Sequence, residues 1–222
     1  MDAFELPSQH GWPIILRYGA LVLRPLRWRD SRSLARLRQR NLAWTRSWDA
    51  TSPTGFAAPV VSASQLARTQ RQAARDGVQL PWLLGWDDSL APTRRSAENC
   101  PPIGQLTVTN ITYGCARNAS IGYWIDRDHA GLGLMPTAVA MASDYCFQVL
   151  RLHRLEICLR PENGPSRRVV EKLGFRFEGT RKRYLHIAGD WRDHEVYVMT
   201  EEEWAPGGLV QELTGGVAPH QR

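Results

Sequence analysis

Lysine is almost absent from this 222-residue chain. Lys172 and Lys182 are the only two among 28 basic residues, so the formal charge of +6 is carried by arginine. An arginine bias follows genome composition as readily as binding, and it supports an anionic ligand without naming one. Arg32, Arg36 and Arg40 fall four apart on a predicted helix, where they read as a phosphate-contacting stripe or as a solvated face. Cysteine is scarce too. Cys100, Cys115, Cys146 and Cys158 are widely spaced, with no C-x-x-C pair and no histidine doublet nearby. This argues against a zinc site or a disulfide framework and for reduced core thiols; no metal is expected. No apolar run reaches the ~18 residues of a membrane span. The N-terminal "MDAFELPSQHGW" has neither the basic nor the apolar region of a secretory signal, so a soluble cytoplasmic protein is expected. There is no internal repeat, no G-K-[ST] and no cluster of paired carboxylates.

What is present suits one sizeable core: 43% of residues are hydrophobic and 23% charged. An irregular arm over 1–18 precedes "ALVLRPLRWRD", a strand with Leu21 and Leu23 alternating, and Asp30 caps a helix carrying Leu34, Leu37 and Leu42. A polar linker (47–63) leads to a second helix, on which Leu66, Gln70, Ala73 and Ala74 share a face before Gly77. Strands follow at "QLPWLLGW", "IGQLTVTNI" and "ASIGYWID", with a Pro-rich, charged insertion over 87–102 that reads as a surface loop. A helix from about Met135 reads as amphipathic, then come the strand "RLEICL", a short helix closed by Gly174 and two more strands. Thr200 with Glu203 reads as a capping box for a last helix, and 205–222 as a flexible tail. The expected fold is therefore mixed α/β, with helices on both faces of one sheet and a domain over 19–204.

The stretch "RDHAGLGLMPTAVA" places Gly131 and Gly133 between a strand and a helix. Free backbone N–H groups at a helix N-terminus stabilise an anion by donors and dipole together, and the geometry suits a pyrophosphate. The plainer reading is that both glycines only turn the chain. A dinucleotide fingerprint fits poorly, because Pro136 stands where a third glycine belongs.

The second block, "PENGPSRRVVEKLGF", supplies Asn163, Ser166 and the closing Lys172-Leu173-Gly174-Phe175, all after a strand and downstream of the glycine turn. Together the two blocks resemble the GCN5-related N-acetyltransferase (GNAT) superfamily, whose signature is a Q/R-x-x-G-x-G/A turn, a long helix, a strand, then N-x-x-S and a helix ending K-x-G-F. The turn here keeps Gly133 but has Ala130 where Gln or Arg is usual and Met135 where Gly or Ala is usual. The stretches "LVLRPLRWRDSRSL", "RNLAWTRSWDATSP" and "IGYWIDRDHAGLGLMPTAVA" are most similar to the ribosomal-protein N-terminal acetyltransferases of the RimJ/RimL type. The likeness spans roughly residues 20 to 204 and implies a mostly antiparallel sheet with splayed middle strands.

The resemblance implies acetyl-CoA as cosubstrate, with its pyrophosphate on the amides of Gly131, Leu132, Gly133 and Met135. Pro136 has no N–H to offer. Arg127, Arg167, Arg168 and Lys172 would neutralise further phosphate charge, or serve as ordinary exposed charges. Asn163 would bridge the pantetheine chain and the loop, or cap its helix. Pantetheine would enter between "ASIGYWID" and "RLEICL", with Trp124, Ile125 and Asp126 supplying backbone contacts. A neutral amine would attack the thioester, with amides near Ile125 polarising the carbonyl. A peptide α-amine costs about 0.5 kcal/mol to deprotonate near neutral pH and a lysine about 4 kcal/mol, so the former tolerates a weak base. Glu156 and His186 are the candidate bases; His129 reads as a loop residue. Ser166 would donate to the leaving thiolate, or merely cap its helix. Val170 stands where a tyrosine often does that work.

The expected acceptor is the N-terminal α-amine of a protein such as a ribosomal protein. A small amine, an aminoglycoside or polyamine, is the rival, and an acidic acceptor cleft would favour it. A non-catalytic acetyl-CoA-binding module and an RNA- or ribosome-surface binder using its arginines stay open as other classes. No direct nucleic-acid recognition is expected, and an exposed sheet edge or "WPIIL" offers a surface for a homodimer.

Overall fold

The computed structural model describes residues 12–53 and 62–215. Eight strands form one sheet: β1 (Leu16–Tyr18), β2 (Leu21–Pro25), β3 (Leu80–Trp86), β4 (Pro102–Thr112), β5 (Asn118–Ile125), β6 (Arg154–Leu159), β7 (Arg176–Ile187) and β8 (Asp190–Thr200), in the order β1-β2-β3-β4-β5-β6-β8-β7. The helices are α1 (Ser31–Arg40), α2 (Leu42–Thr45), α3 (Ala63–Arg75), α4 (Arg94–Asn99), α5 (Leu134–Gln148), α6 (Gly164–Lys172) and α7 (Leu209–Thr214). Every strand pair is antiparallel except β5–β6.

The period of two in "LPWLLGW" explains why β3 sits mid-sheet: Leu80, Trp82 and Leu84 pack into the large core around α5, while Leu83 joins Leu26, Leu34 and Ala67 beneath α1 and α3. Helices therefore cover both faces, as expected. Helix α5 is not amphipathic: every residue but Pro136 and Gln148 is buried. A helix enclosed on all sides has no solvent stripe to make polar.

The parallel pair decides where the site lies. Strands β5 and β6 pair only through Asn118–Arg154, Ala119–Leu155 and Ser120–Glu156. Beyond these, β5 continues along β4 to the Gly104–Ile125 pair, while β6 continues along β8 to Leu159–Glu195. A wedge opens between them. The Asp126 amide donates to the Ile103 carbonyl (2.8 Å). By strand alternation the backbone of Trp124 also faces β4, and that of Tyr123 and Ile125 faces the wedge.

Several local expectations change. The last residues of the arm form β1, paired with β2; residues 1–11 of that arm lie outside the described ones. The 87–102 insertion is ordered around α4, whose N-cap Thr93 and Ser96 exchange bonds in a capping box. Asp87 accepts from Ser89 Oγ (2.5 Å), Ser96 Oγ (2.6 Å) and Arg17. Burial alone would raise its pKa, but these hydrogen bonds hold it at about 2. On α3 the buried face carries Ala67 and Ala74, whereas Leu66 is exposed. Glu203 does accept from the Thr200 amide (2.8 Å), yet a turn follows rather than a helix. The chain past 204 continues into α7, with Leu209 and Val210 buried.

Candidate active site

A cleft of about 690 Å³ runs along the wedge and onto the first turn of α5 and the length of α6. One end is made of backbone. Gly131 (φ +80°) and Gly133 (φ +77°) are both left-handed, and Gly133 is the N-cap of α5. A Cβ built on either would meet nothing within 4 Å, so the peptide faces open space. The amides of Gly131, Leu132, Gly133, Leu134 and Met135 meet no acceptor among the described residues, the next bonded amide being Thr137 on the Gly133 carbonyl (3.3 Å). Five consecutive donors at the positive end of a buried helix make an anion cradle. Arg168 and Lys172 of α6 also line the cleft, and neither has an ion pair among the described residues.

Asp126 holds the turn in place. Its buried carboxylate accepts from Asn41 Nδ2 (2.7 Å), Arg40 (2.5 Å) and His129 Nδ1 (3.1 Å), while the Asn41 Oδ1 takes the Arg127 amide (2.9 Å). Burial pushes its pKa up, but these partners outweigh it and the net direction is down, so it is ionised at neutral pH. Asp126 therefore fastens α1 to the turn and offers no free backbone N–H.

Midway along the cleft, Asn163 caps α6 by accepting from the Ser166 amide (3.1 Å). The helix cap is thus Asn163, and the Ser166 hydroxyl is left for something else. It lies 2.8 Å from the hydroxyl of Tyr123 on β5, across the wedge. Burial raises the Tyr123 pKa well above that of a free phenol, against a smaller opposing effect of the Ser166 bond. Tyr123 thus brings a phenol to Ser166 from β5, whereas Val170 of α6 is buried and carries no hydroxyl.

The other end is built of side chains: Trp44, Trp48, Asp49 and Arg38 from the α1–α2 region, Gln70 of α3, Gln105 of β4 and Trp124 of β5. Arg38 lies over the Trp124 ring (3.9 Å to its centroid) and pairs with Asp49 (3.0 Å). Arg160 lies over Trp48 at 5.5 Å. Of the described residues lining the cleft, Asp49 is the one carboxylate, against Arg38, Arg168 and Lys172.

The family model for the acetyltransferase (GNAT) domain matches residues 20–176. The chain belongs to the GNAT acetyltransferase family. Among solved structures, Mycobacterium smegmatis RimJ in complex with CoA-disulfide is 36% identical, with a TM-score of 0.77 over 91% of this chain and 94% of that one. A ribosomal-protein-S5-alanine acetyltransferase from Vibrio fischeri shares the fold at 24% identity and TM-score 0.72, over 87% and 100%. Among curated proteins, the probable N-acetyltransferase YjcK of Bacillus subtilis is 43% identical over 97 residues (44% of this chain, 54% of that protein). The uS5-alanine N-acetyltransferase of Escherichia coli is 35% identical over 105 residues (47% and 54%). The chain spans about half the length of the curated relatives it matches.

Within this GNAT domain the sequence-predicted residues divide. Trp124, Ile125, Gly131, Gly133, Met135, Asn163, Ser166, Arg168 and Lys172 line the cleft. Leu132 lies in the turn but packs its side chain against the core. Arg127 is exposed and outside the lining. Arg167 points away: it pairs with Glu195 (2.7 Å) and donates to Tyr197 Oη (3.0 Å) and the Pro161 carbonyl (2.9 Å). Neither proposed base reaches the cleft. Both carboxylate oxygens of Glu156 are held, by Arg154 (2.8 Å) and Arg181 (2.8 Å). His186 accepts or donates at Thr51 Oγ1 (2.8 Å), its carbonyl takes the Thr51 amide, and it packs edge-on against Trp191. It pins the segment after Trp48 and Asp49 to the β7–β8 hairpin. The described residues contain no group of side chains able to hold a metal and no helix long and apolar enough to cross a membrane.

Proposed function

We propose that this GNAT enzyme transfers the acetyl group of acetyl-CoA to the N-terminal α-amine of a protein. Its relatives' names point to ribosomal proteins, an acceptor met in the cytoplasm. The observation that carries this choice is the charge of the acceptor end. A polyamine or aminoglycoside is a polycation and needs unpaired carboxylates, yet Asp49, the single lining carboxylate among the described residues, is neutralised by Arg38. A peptide N-terminus brings one amine with a pKa near ~7.8, which needs little help to lose its proton. The absence of Glu156 and His186 from the cleft fits an acceptor of that kind.

Acetyl-CoA supplies an activated thioester. The amides of Gly131 through Met135 bind its pyrophosphate, and Arg168 and Lys172 add positive charge beside it. Tyr123 and Ile125 present wedge-facing backbone groups to pantetheine, and the Ile125 amide polarises the carbonyl. Ser166 donates to the departing sulfur. Trp44, Trp48 and the Arg38–Asp49 pair frame the peptide.

The test is a competition: purified protein, acetyl-CoA and an equimolar mixture of ribosomal-protein N-terminal peptides, spermidine and an aminoglycoside, read by mass spectrometry. Acetylation at peptide α-amines supports the reading. Preferential acetylation of spermidine or the aminoglycoside, or CoA binding without transfer to any amine, removes it.

A further inference from the structure

Among the described residues, the Tyr123–Ser166 pair is the one polar side-chain contact across the wedge between β5 and α6. It joins the strand that leaves the sheet on one side to the helix that follows β6 on the other. Resting on the acetyl-transfer reading above, we infer that Tyr123 is a positioning residue: its hydroxyl donates to Ser166 Oγ and thereby aims the Ser166 proton into the cleft at the leaving sulfur.

The direction of the bond follows from the surroundings. A serine in the first turn of a helix has two easy uses for its hydroxyl, capping its own helix or bonding back to a carbonyl one turn earlier. Here Asn163 already holds the cap, and the Tyr123 phenol fills an acceptor site of Oγ at 2.8 Å, with the Ser166 carbonyl 3.5 Å away as a weaker partner. The phenol is half-buried against the core and stays protonated at any ordinary pH, which makes it a dependable donor. Serine hydroxyls rotate; one whose lone pair is engaged by a fixed donor has its own O–H directed elsewhere, and Ser166 lines the cleft. No acidic group is needed. The amine's lone pair forms the N–C bond, and the C–S bond breaks with its electron pair on sulfur. The thiolate so formed accepts the Ser166 O–H, and the proton shed by the amine goes to solvent. A hydrogen bond to the charged form of an acid lowers its pKa, so the pair has a signature independent of turnover: the bound CoA thiol ionises at lower pH than in its absence.

The experiment uses the full chain with CoA and follows thiolate ultraviolet absorbance against pH for wild type, Tyr123→Phe, Ser166→Ala and the double variant. CoA affinity by calorimetry and kcat on a peptide acceptor are measured alongside. The expected result is about tenfold more bound thiolate at a given pH in wild type than in either single variant, a kcat lower by about tenfold in each, and a double variant no worse than the singles. CoA affinity should stay within about twofold. Phe keeps the packing of Tyr123, and a circular-dichroism melt of each variant confirms the fold. The inference is overturned if Tyr123→Phe titrates like wild type while Ser166→Ala does not, if the two effects multiply, or if weaker CoA binding accounts for the whole loss. Wild-type protein that acetylates no amine would fail at the earlier step and remove the acetyl-transfer reading itself.

Discussion

The two ends of the cleft are built from different materials. The end over α5 is backbone: consecutive amides left free by two left-handed glycines, with side chains only at its margin. The opposite end is made of side chains drawn from α1, α2, α3, β4 and β5, with indoles and guanidinium groups layered on one another. Backbone donors recognise an anion whatever the neighbouring side chains are, which is how this turn tolerates Ala130 and Met135 in place of the usual residues. Side-chain walls change with every substitution. On the reading proposed above, the backbone end keeps its ligand through such substitutions and the side-chain end changes with them.

The largest effect expected from breaking this contrast is at Gly133. Gly133→Val forces a β-branched residue into φ +77°, a strain of roughly 1–3 kcal/mol, and puts methyl groups into the space the anion needs. CoA affinity measured by calorimetry should fall by about tenfold or more in a protein that still folds; unchanged affinity would mean that the cradle binds something else. Arg38→Gln sharpens the other end. It leaves Asp49 as an unpaired carboxylate beside three indoles, and kcat/KM for spermidine relative to a peptide should rise about fivefold, with CoA affinity unaltered. No change in that ratio would show that charge does not select the acceptor.

Glu156→Gln serves as a control outside both ends. It removes the anion shared by Arg154 and Arg181, so thermal stability should drop by about 1 kcal/mol while kcat holds within about twofold. A collapse of kcat in a stable variant would restore Glu156 as a base. Asp87 lies outside the cleft, so the effect expected on kcat is the smallest there and stability is the readout. Its folded pKa of about 2 lies below the ordinary carboxylate value near ~3.9, so its contribution to stability is complete above about pH 4 and is lost as pH falls through about 2. Melting curves of wild type and Asp87→Asn should accordingly differ at pH 6 and converge near about pH 2.

The backbone end was legible in the sequence because everything that makes it is local. A strand, two glycines and a helix start occupy 121–137, and Asn163, Ser166 and Gly174 stand in one short block. The side-chain end was not legible, because Arg38, Asp49, Gln70, Gln105 and Trp124 meet only after the sheet has formed. Glu156 illustrates the limit: alternation along "RLEICL" correctly separates its side chain from those of Leu155 and Ile157, but nothing in the strand announces that Arg154 and Arg181 will hold both of its oxygens. His186 fails for the same reason, its partner Thr51 being 135 residues away. Tyr123 was within reach. It stands beside Trp124 in "IGYWID", a phenol on the strand that leads into the glycine turn.

Asp144 sits deep in α5, the helix whose N-terminus carries the glycine turn, and accepts from Trp204 Nε1 (2.7 Å) and from the Leu209 and Val210 amides (2.7 and 3.1 Å) at the start of α7. Burial drives its pKa up despite these three donors. Cutting the chain after Trp204 would leave that carboxylate enclosed with a single partner and strip the cover from Leu209's side of α5. Proteolytic trimming or a shortened reading frame ending there should therefore yield material that is poorly recovered from expression, although every residue of the cleft is retained.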